Sequence, residues 1–192
     1  MILYILSALP IRVFRNKTMN YFEFYGIPVS FQVDEPALRR TYYANNKRYH
    51  PDFHTLSDPA QQAEMLELAT LNNEAFQTLS DSDRRMRYVL QLHGLLQEEG
   101  QQTMAQDFLL EMMDINEALM ELEFDFDPER YQATTQNVDQ LERDLYAGIR
   151  PTLERYTPES GTPEDLQRVL EYFLKKRYLL RIRENLSKFA TQ

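Results

Sequence analysis

The chain has 192 residues, 43 % of them hydrophobic and only five of them glycine, enough apolar material for one ordinary domain or two small ones. Its formal charge of −9 makes for a surface that repels nucleic acid, so no nucleic-acid partner is expected. It has no cysteine, which excludes disulfides and thiolate ligands for zinc or an iron–sulfur cluster and fits a reducing compartment.

Abundant Glu, Gln, Leu, Arg and Ala all tolerate helix, and the expected fold is all-α. The apolar run Met1–Pro10 is shorter than the roughly 20 residues needed to span a bilayer and lacks a preceding cationic stretch. No membrane partner is expected. Residues 1–18 read as an extension upstream of a start at Met19, or else as a loosely packed tail. Asn20 to Tyr25 forms a helical turn stopped by Gly26. Asp34 caps a second helix with Pro36 in its first turn, running to about Tyr49 with Leu38, Tyr42, Asn45 and Tyr49 on one face. Pro51 disfavours helix at His50 and ends it. His50–Ser57 is a loop, and Asp58-Pro59 opens a long helix bearing Met65, Leu68, Leu71, Ala75, Phe76 and Leu79. These two amphipathic rods predict an antiparallel hairpin with the His50 loop at its tip. A fourth helix covers about Asp83 to His93 and stops at Gly94.

Leu95 to Gln102 reads as a linker. Helix returns from Thr103 to about Leu122, is interrupted by Phe124-Asp-Phe-Asp-Pro128, and resumes from about Thr135 to Tyr156 with a bend expected near Gly148 and Pro151. A last helix starts at Thr162-Pro163-Glu164 and reaches Phe189. The expected organisation is thus an extension (1–18), a helical hairpin domain with flanking helices (19–95) and a C-terminal three-helix bundle (101–192).

Charge is unevenly spread. Leu38 to His50 holds four cations (Arg39, Arg40, Lys47 and Arg48) and no acid, whereas Gln101 to Tyr131 holds nine acids and only Arg130. Such asymmetry points to two parts with different partners. On a wheel of the first C-terminal helix, Phe108, Met112, Ile115, Leu119 and Leu122 form the natural core stripe. Leu109, Met113 and Met120 form a second stripe about 100° away, which is either a broader core, the default for an apolar stripe, or an exposed face for a partner.

His50-Pro51-Asp52 carries the chemistry. A tripeptide alone is a weak signal, but here a basic helix ends at it and a long helix returns after it. Read without a partner, it is only a helix stop beside a solvated cationic face. His50, Asp52 and His54 also form H-x-D-x-H, residue types that ligate metals, so a metal-dependent enzyme is the catalytic alternative. No further ligand cluster, glycine-rich phosphate loop or G-x-S-x-G elbow accompanies it.

Leu38-Arg-Arg-Thr-Tyr42 with Lys47-Arg48-Tyr49-His50-Pro51-Asp52 resembles the second helix and loop of the J-domain family. Asn72, Glu74-Ala75-Phe76, Leu79-Ser80-Asp81, Arg85 and Tyr88 resemble its third helix and the start of its fourth. Two positions depart. Asn45 stands where the family usually has an aliphatic core residue, a change expected to loosen the hairpin. Phe53 stands where it has a cation, a change expected to alter partner choice.

With Phe22-Glu-Phe-Tyr-Gly26 and the acidic stretch Asp107-Phe-Leu-Leu-Glu-Met-Met-Asp114, the chain from Met19 onward is similar to the HscB-type J-domain co-chaperones of iron–sulfur cluster assembly. The resemblance implies a non-enzymatic, cofactor-free protein of the bacterial cytoplasm. It implies that His50, Pro51, Asp52, Arg39, Arg40, Lys47 and Arg48 dock on a DnaK-type (HscA-like) chaperone and stimulate its ATP hydrolysis. It further implies that Leu109, Leu110, Met113 and Tyr178 hold the iron–sulfur scaffold protein (IscU-like).

Overall fold

The structure, a computed structural model, describes residues 19–96 and 103–189. The expected extension at 1–18 and most of the expected linker lie outside the described residues. Among the described residues there are seven α-helices and no strand: α1 (Tyr21–Tyr25), α2 (Glu35–Tyr49), α3 (Pro59–Ser80), α4 (Ser82–Leu92), α5 (Gln106–Phe124), α6 (Pro128–Arg155) and α7 (Pro163–Ser187). Among the described residues no helix is long and apolar enough to cross a membrane.

Local chemistry explains the boundaries. Asn20 and Glu23 form a reciprocal capping box on α1, and Gly26 closes that helix at φ 65°, a conformation glycine adopts without steric cost. The Asp34 side chain accepts from Ala37 N, and Pro36 sits in the first turn of α2, where no backbone donor is missed. Asp81 caps α4 by accepting from Asp83 N and Arg84 N. Helix α6 begins at Pro128, seven residues before the expected Thr135, because Asp127 caps it by accepting from Glu129 N. It continues as one helix through Pro151. Thr162 and Asp165 form a second capping box at the start of α7.

The chain divides into two compact units. The first comprises the residues up to Pro28 together with Asp34–Leu79. In it α2 and α3 are antiparallel: Tyr42 stacks on Phe76 at 4.2 Å, whereas Asn45 and Asn46, further along α2, meet Asn72, further back along α3. Phe22, Tyr25, Leu38, Ala75 and Leu79 are its buried apolar residues. Asn72 is equally buried and is fully hydrogen-bonded, as a buried amide must be.

The second unit joins Val29–Val33 to the chain from Ser80 onward. Helices α5, α6 and α7 pack pairwise, and α4 packs on α7. Their core includes Phe108, Met112, Ile115, Leu119 and Leu122 from α5, Val138 from α6, and Leu179, Ile182 and Leu186 from α7. Each large side chain so buried contributes roughly 1.5–3 kcal/mol relative to exposure. Polar ties add direction: Arg183 of α7 bonds Asp139 and Glu142 of α6, and Lys176 of α7 pairs with Asp83 of α4. The buried Arg85 donates to the Phe31 carbonyl at 2.9 Å, and Phe31 packs against Tyr156.

Candidate functional site

Two candidate sites emerge, one in each unit. The first is the loop after α2. His50 has φ −63° and ψ 129°, extended rather than helical, because Pro51 crowds the helical conformation of the residue before it. Pro51–Phe53 then forms one 3₁₀ turn. His50 Nδ1 accepts from Asp52 N at 3.2 Å. That role requires a bare Nδ1, so the neutral ring carries its proton on Nε2 and offers it as a donor. The Asp52 carboxylate lies 3.6 Å from Nδ1 and is largely exposed.

His54 has a different partner. Its Nε2 meets the Arg48 carbonyl at 2.8 Å, and a carbonyl only accepts, so Nε2 donates. This bond serves one of the carbonyls that α2 leaves unpaired at its C-terminus. The Gln62 amide donates to the Thr55 and Ser57 carbonyls and ties the far side of the loop to α3. Nδ1 of His50 and Nε2 of His54 are thus both engaged within the loop. Among the described residues no group of three or more His, Cys, Asp or Glu could hold a metal ion.

Arg39, Arg40, Lys47 and Arg48 are all exposed along α2, and none makes an ion pair among the described residues. Arg48 lies over the Tyr49 ring at 5.5 Å. Two exposed apolar residues, Phe53 and Leu56, adjoin the tripeptide. The Phe53 ring meets the His50 ring edge-on at 5.9 Å. Sequence reasoning noticed Phe53 only as a departure and did not single out Leu56. An isolated leucine in a polar loop has no periodic signal to mark it.

The second candidate is the outer face of α5. The core stripe of this helix is buried as expected, whereas Leu109, Met113 and Met120 are exposed. The broader-core expectation is therefore corrected: α6 and α7 pack on one side of α5, and among the described residues the other side is left exposed. Leu110 is exposed as well. Tyr178, from α7, is half-buried, with its ring edge-on to Phe108 at 5.7 Å and its hydroxyl accepting from Asn116 Nδ2 at 2.8 Å. Asn116 lies two turns after Leu109 on the same face, so it brings Tyr178 to the border of the exposed apolar residues. The sequence reading did not name Asn116, although its i+7 spacing from Leu109 was a usable signal.

Comparison with known proteins gives one family at every level. Residues 104–187 match the family described as HSCB C-terminal oligomerisation domain. The co-chaperone protein HscB homolog of Vibrio cholerae serotype O1 (strain M66-2) is 38 % identical over 112 residues, which cover 58 % of this chain and 66 % of that relative, just under two thirds. The homolog of Cupriavidus taiwanensis is 31 % identical over 136 residues, 70 % of this chain and 77 % of that one. The crystal structure of human co-chaperone protein HscB aligns with a TM-score of 0.68 at 26 % identity, covering 91 % of this chain and 84 % of that one.

Proposed function

The chain belongs to the HscB family of co-chaperones, and from that premise we propose that it stimulates ATP hydrolysis by a DnaK-type, HscA-like chaperone and delivers the IscU-like iron–sulfur scaffold to it. Residues 19–95 serve as the J-domain and residues 101–192 as the scaffold-holding bundle. The protein works in the bacterial cytoplasm, needs no cofactor and is not itself an enzyme.

One observation carries the reading: an exposed, internally ordered His50-Pro51-Asp52 loop caps a helix whose four cations are exposed and, among the described residues, make no ion pair. Unpaired surface cations are available to steer an acidic partner surface, raising the association rate. Pro51 restricts the loop before binding, so less conformational entropy is lost on docking. Asp52 presents a carboxylate for a cation of the chaperone, and His50 presents a directional N–H donor. Leu109, Leu110, Met113 and Tyr178 hold the scaffold, the methionine adapting to its contour.

Steady-state ATP turnover of the host chaperone tests this, with the wild-type protein and His50→Gln, each with and without scaffold. Stimulation that requires His50 and rises more than additively with scaffold is the expected result. Stimulation indifferent to scaffold would keep the J-domain role and assign the α5 face to another client. No stimulation of any host chaperone would overturn the reading, leaving the tripeptide as a helix stop.

A further inference from the structure

The loop after the tripeptide carries two large apolar side chains that its fold leaves in water. Phe53 is 67 % exposed and Leu56 is 100 % exposed. No Asp, Glu, Lys or Arg occurs from Phe53 to Ser57, so this stretch offers a partner apolar surface rather than charge. Single exposed apolar residues are ordinary, but these two are held out by the hydrogen bonds around them. The Phe53 N–H donates to the His50 carbonyl at 3.1 Å, and the His54 N–H to the Pro51 carbonyl at 2.9 Å. The Gln62 amide of α3 donates to the Thr55 carbonyl at 3.2 Å and to the Ser57 carbonyl at 2.9 Å. One side chain thus fixes the backbone on both sides of Leu56.

Position says what covers them. The Phe53 ring lies edge-on to the His50 ring, with centroids 5.9 Å apart. A partner that accepts the His50 Nε2 proton comes within ~3 Å of that nitrogen, so the same body reaches Phe53. Leu56 is three residues further on, at most ~11 Å of extended chain. That distance is well inside a standard interface of ~800 Å² per partner. The surface that receives the tripeptide therefore also covers Phe53 and Leu56.

We infer that Phe53 and Leu56 are contact residues of the chaperone-docking surface, received by an apolar recess of the chaperone beside the groups that bond His50 and Asp52, and that Gln62 is the positioning residue that presents Leu56. The inference rests on the reading of the tripeptide as the docking site. It divides the work of docking between two parts of the surface. The cations of α2 act at a distance and are screened by salt, whereas the apolar pair acts only on contact and is not. Because hydrogen bonds already order the loop, little conformational entropy is lost when Leu56 is buried.

Titration of the chaperone's ATPase with the full chain tests it. The variants are the double Phe53→Ser/Leu56→Ser, Leu56→Met, Gln62→Ala, Gln62→Ala combined with Leu56→Ser, and His50→Gln. Circular dichroism checks that each remains folded, as expected for substitutions at exposed positions. The serine pair is expected to raise the half-maximal concentration about tenfold or more, with the maximum preserved and the deficit equal at ~0.01 M and ~0.15 M salt. Leu56→Met is expected to titrate as wild type. Gln62→Ala is expected to raise the half-maximal concentration when Leu56 is present and to add nothing to Leu56→Ser, which a general loosening of the hairpin would not do. If His50→Gln lowers the maximum while the serine pair titrates as wild type, the docking reading stands and the inference is overturned. A serine-pair deficit that disappears at the higher salt overturns it too, because the contact is then not apolar. If the wild-type protein stimulates no host chaperone, the docking reading fails and the inference with it.

Discussion

Asn45 of α2 donates from Nδ2 to the side-chain carbonyl of Asn72 in α3 at 3.1 Å. The Tyr25 hydroxyl donates to the same oxygen at 2.9 Å, and the Asn72 amide donates to the Tyr42 carbonyl and to the Asn46 side chain. One buried amide thus joins α1, α2 and α3. Burial, and then the neighbouring Tyr42, push the Tyr25 phenol well above its ordinary range, which keeps it protonated as a donor. Asn45 was expected to loosen the hairpin because it replaces an aliphatic contact. In the structure it is a member of this polar network, sharing the Asn72 oxygen with the Tyr25 hydroxyl.

This network makes Asn72 the more costly of the two asparagines to lose. Asn72→Leu removes an acceptor used by two donors and a donor used by two acceptors, leaving polar groups unmatched near the core. A loss of about 2–4 kcal/mol of local stability is expected. Asn45→Leu leaves Tyr25 bonded to Asn72 and is expected to change stability by about 1 kcal/mol or less. Hydrogen exchange of the α2 and α3 amides separates the two. Equal protection in Asn72→Leu and wild type would mean that the network is dispensable.

His54→Ala removes the bond to the Arg48 carbonyl and frees the loop without touching the tripeptide. The carbonyl regains water, so stability is expected to fall by only about 0.5–1.5 kcal/mol. The functional consequence is larger for affinity than for turnover. The co-chaperone concentration giving half-maximal ATPase stimulation is expected to rise several-fold with the maximum preserved, whereas His50→Gln lowers the maximum. A His54→Ala titration curve that overlays the wild type would remove His54 from any positioning role. The same protein titrated with zinc is expected to show no stoichiometric binding before or after the substitution.

Caps made much of this fold legible. Asn20 with Gly26, Asp34 with Pro36, and Thr162 with Pro163 mark helix ends through side chains whose chemistry is local, and the structure puts those ends where the caps do. The start of α6 escaped because Phe124-Asp-Phe-Asp-Pro128 looks like a break, yet Asp127-Pro128-Glu129 carries the same cap signature as Asp58-Pro59. The exposed face of α5 was not decidable from its own residues. A wheel shows which side chains share a face, but only the number of neighbouring helices decides whether that face is covered. The burial of Asn72, a residue the family resemblance includes, escaped for the converse reason: polarity places it outside a hydrophobic pattern, and its burial depends on partners 26 to 47 residues away.

Charge reversal on α2 is expected to act on the encounter. Arg39→Glu/Arg40→Glu replaces two exposed cations that make no ion pair among the described residues, so stability should be within about 0.5 kcal/mol of wild type. Association with the chaperone should slow about tenfold or more at low ionic strength. The deficit should shrink as salt shortens the screening length from ~30 Å at 0.01 M to ~8 Å at 0.15 M. Stopped-flow binding at both salt concentrations measures it. A deficit that is the same at both would mean that these arginines act by contact rather than by steering.

Asp165 provides a pH test of the C-terminal unit. The Arg155 guanidinium bonded to it holds its carboxyl below the usual carboxylate range, burial opposes that shift, and the backbone and hydroxyl of Thr162 assist it. A carboxyl whose folded pKa is depressed binds its proton more readily in the unfolded chain. Its stabilisation is therefore fully present above the unfolded value of ~3.9 and is lost as pH falls through the lower folded value. Asp165→Asn retains the size of the side chain but not the charge. The melting temperature of wild type should exceed that of Asp165→Asn by a constant margin from pH 7 to pH 5, and the margin should close as pH falls below about 4. Because Arg155 is half-exposed, the margin should also narrow in molar salt. A margin unchanged from pH 7 to pH 3 would assign the effect of Asp165 to the geometry of its cap rather than to its charge.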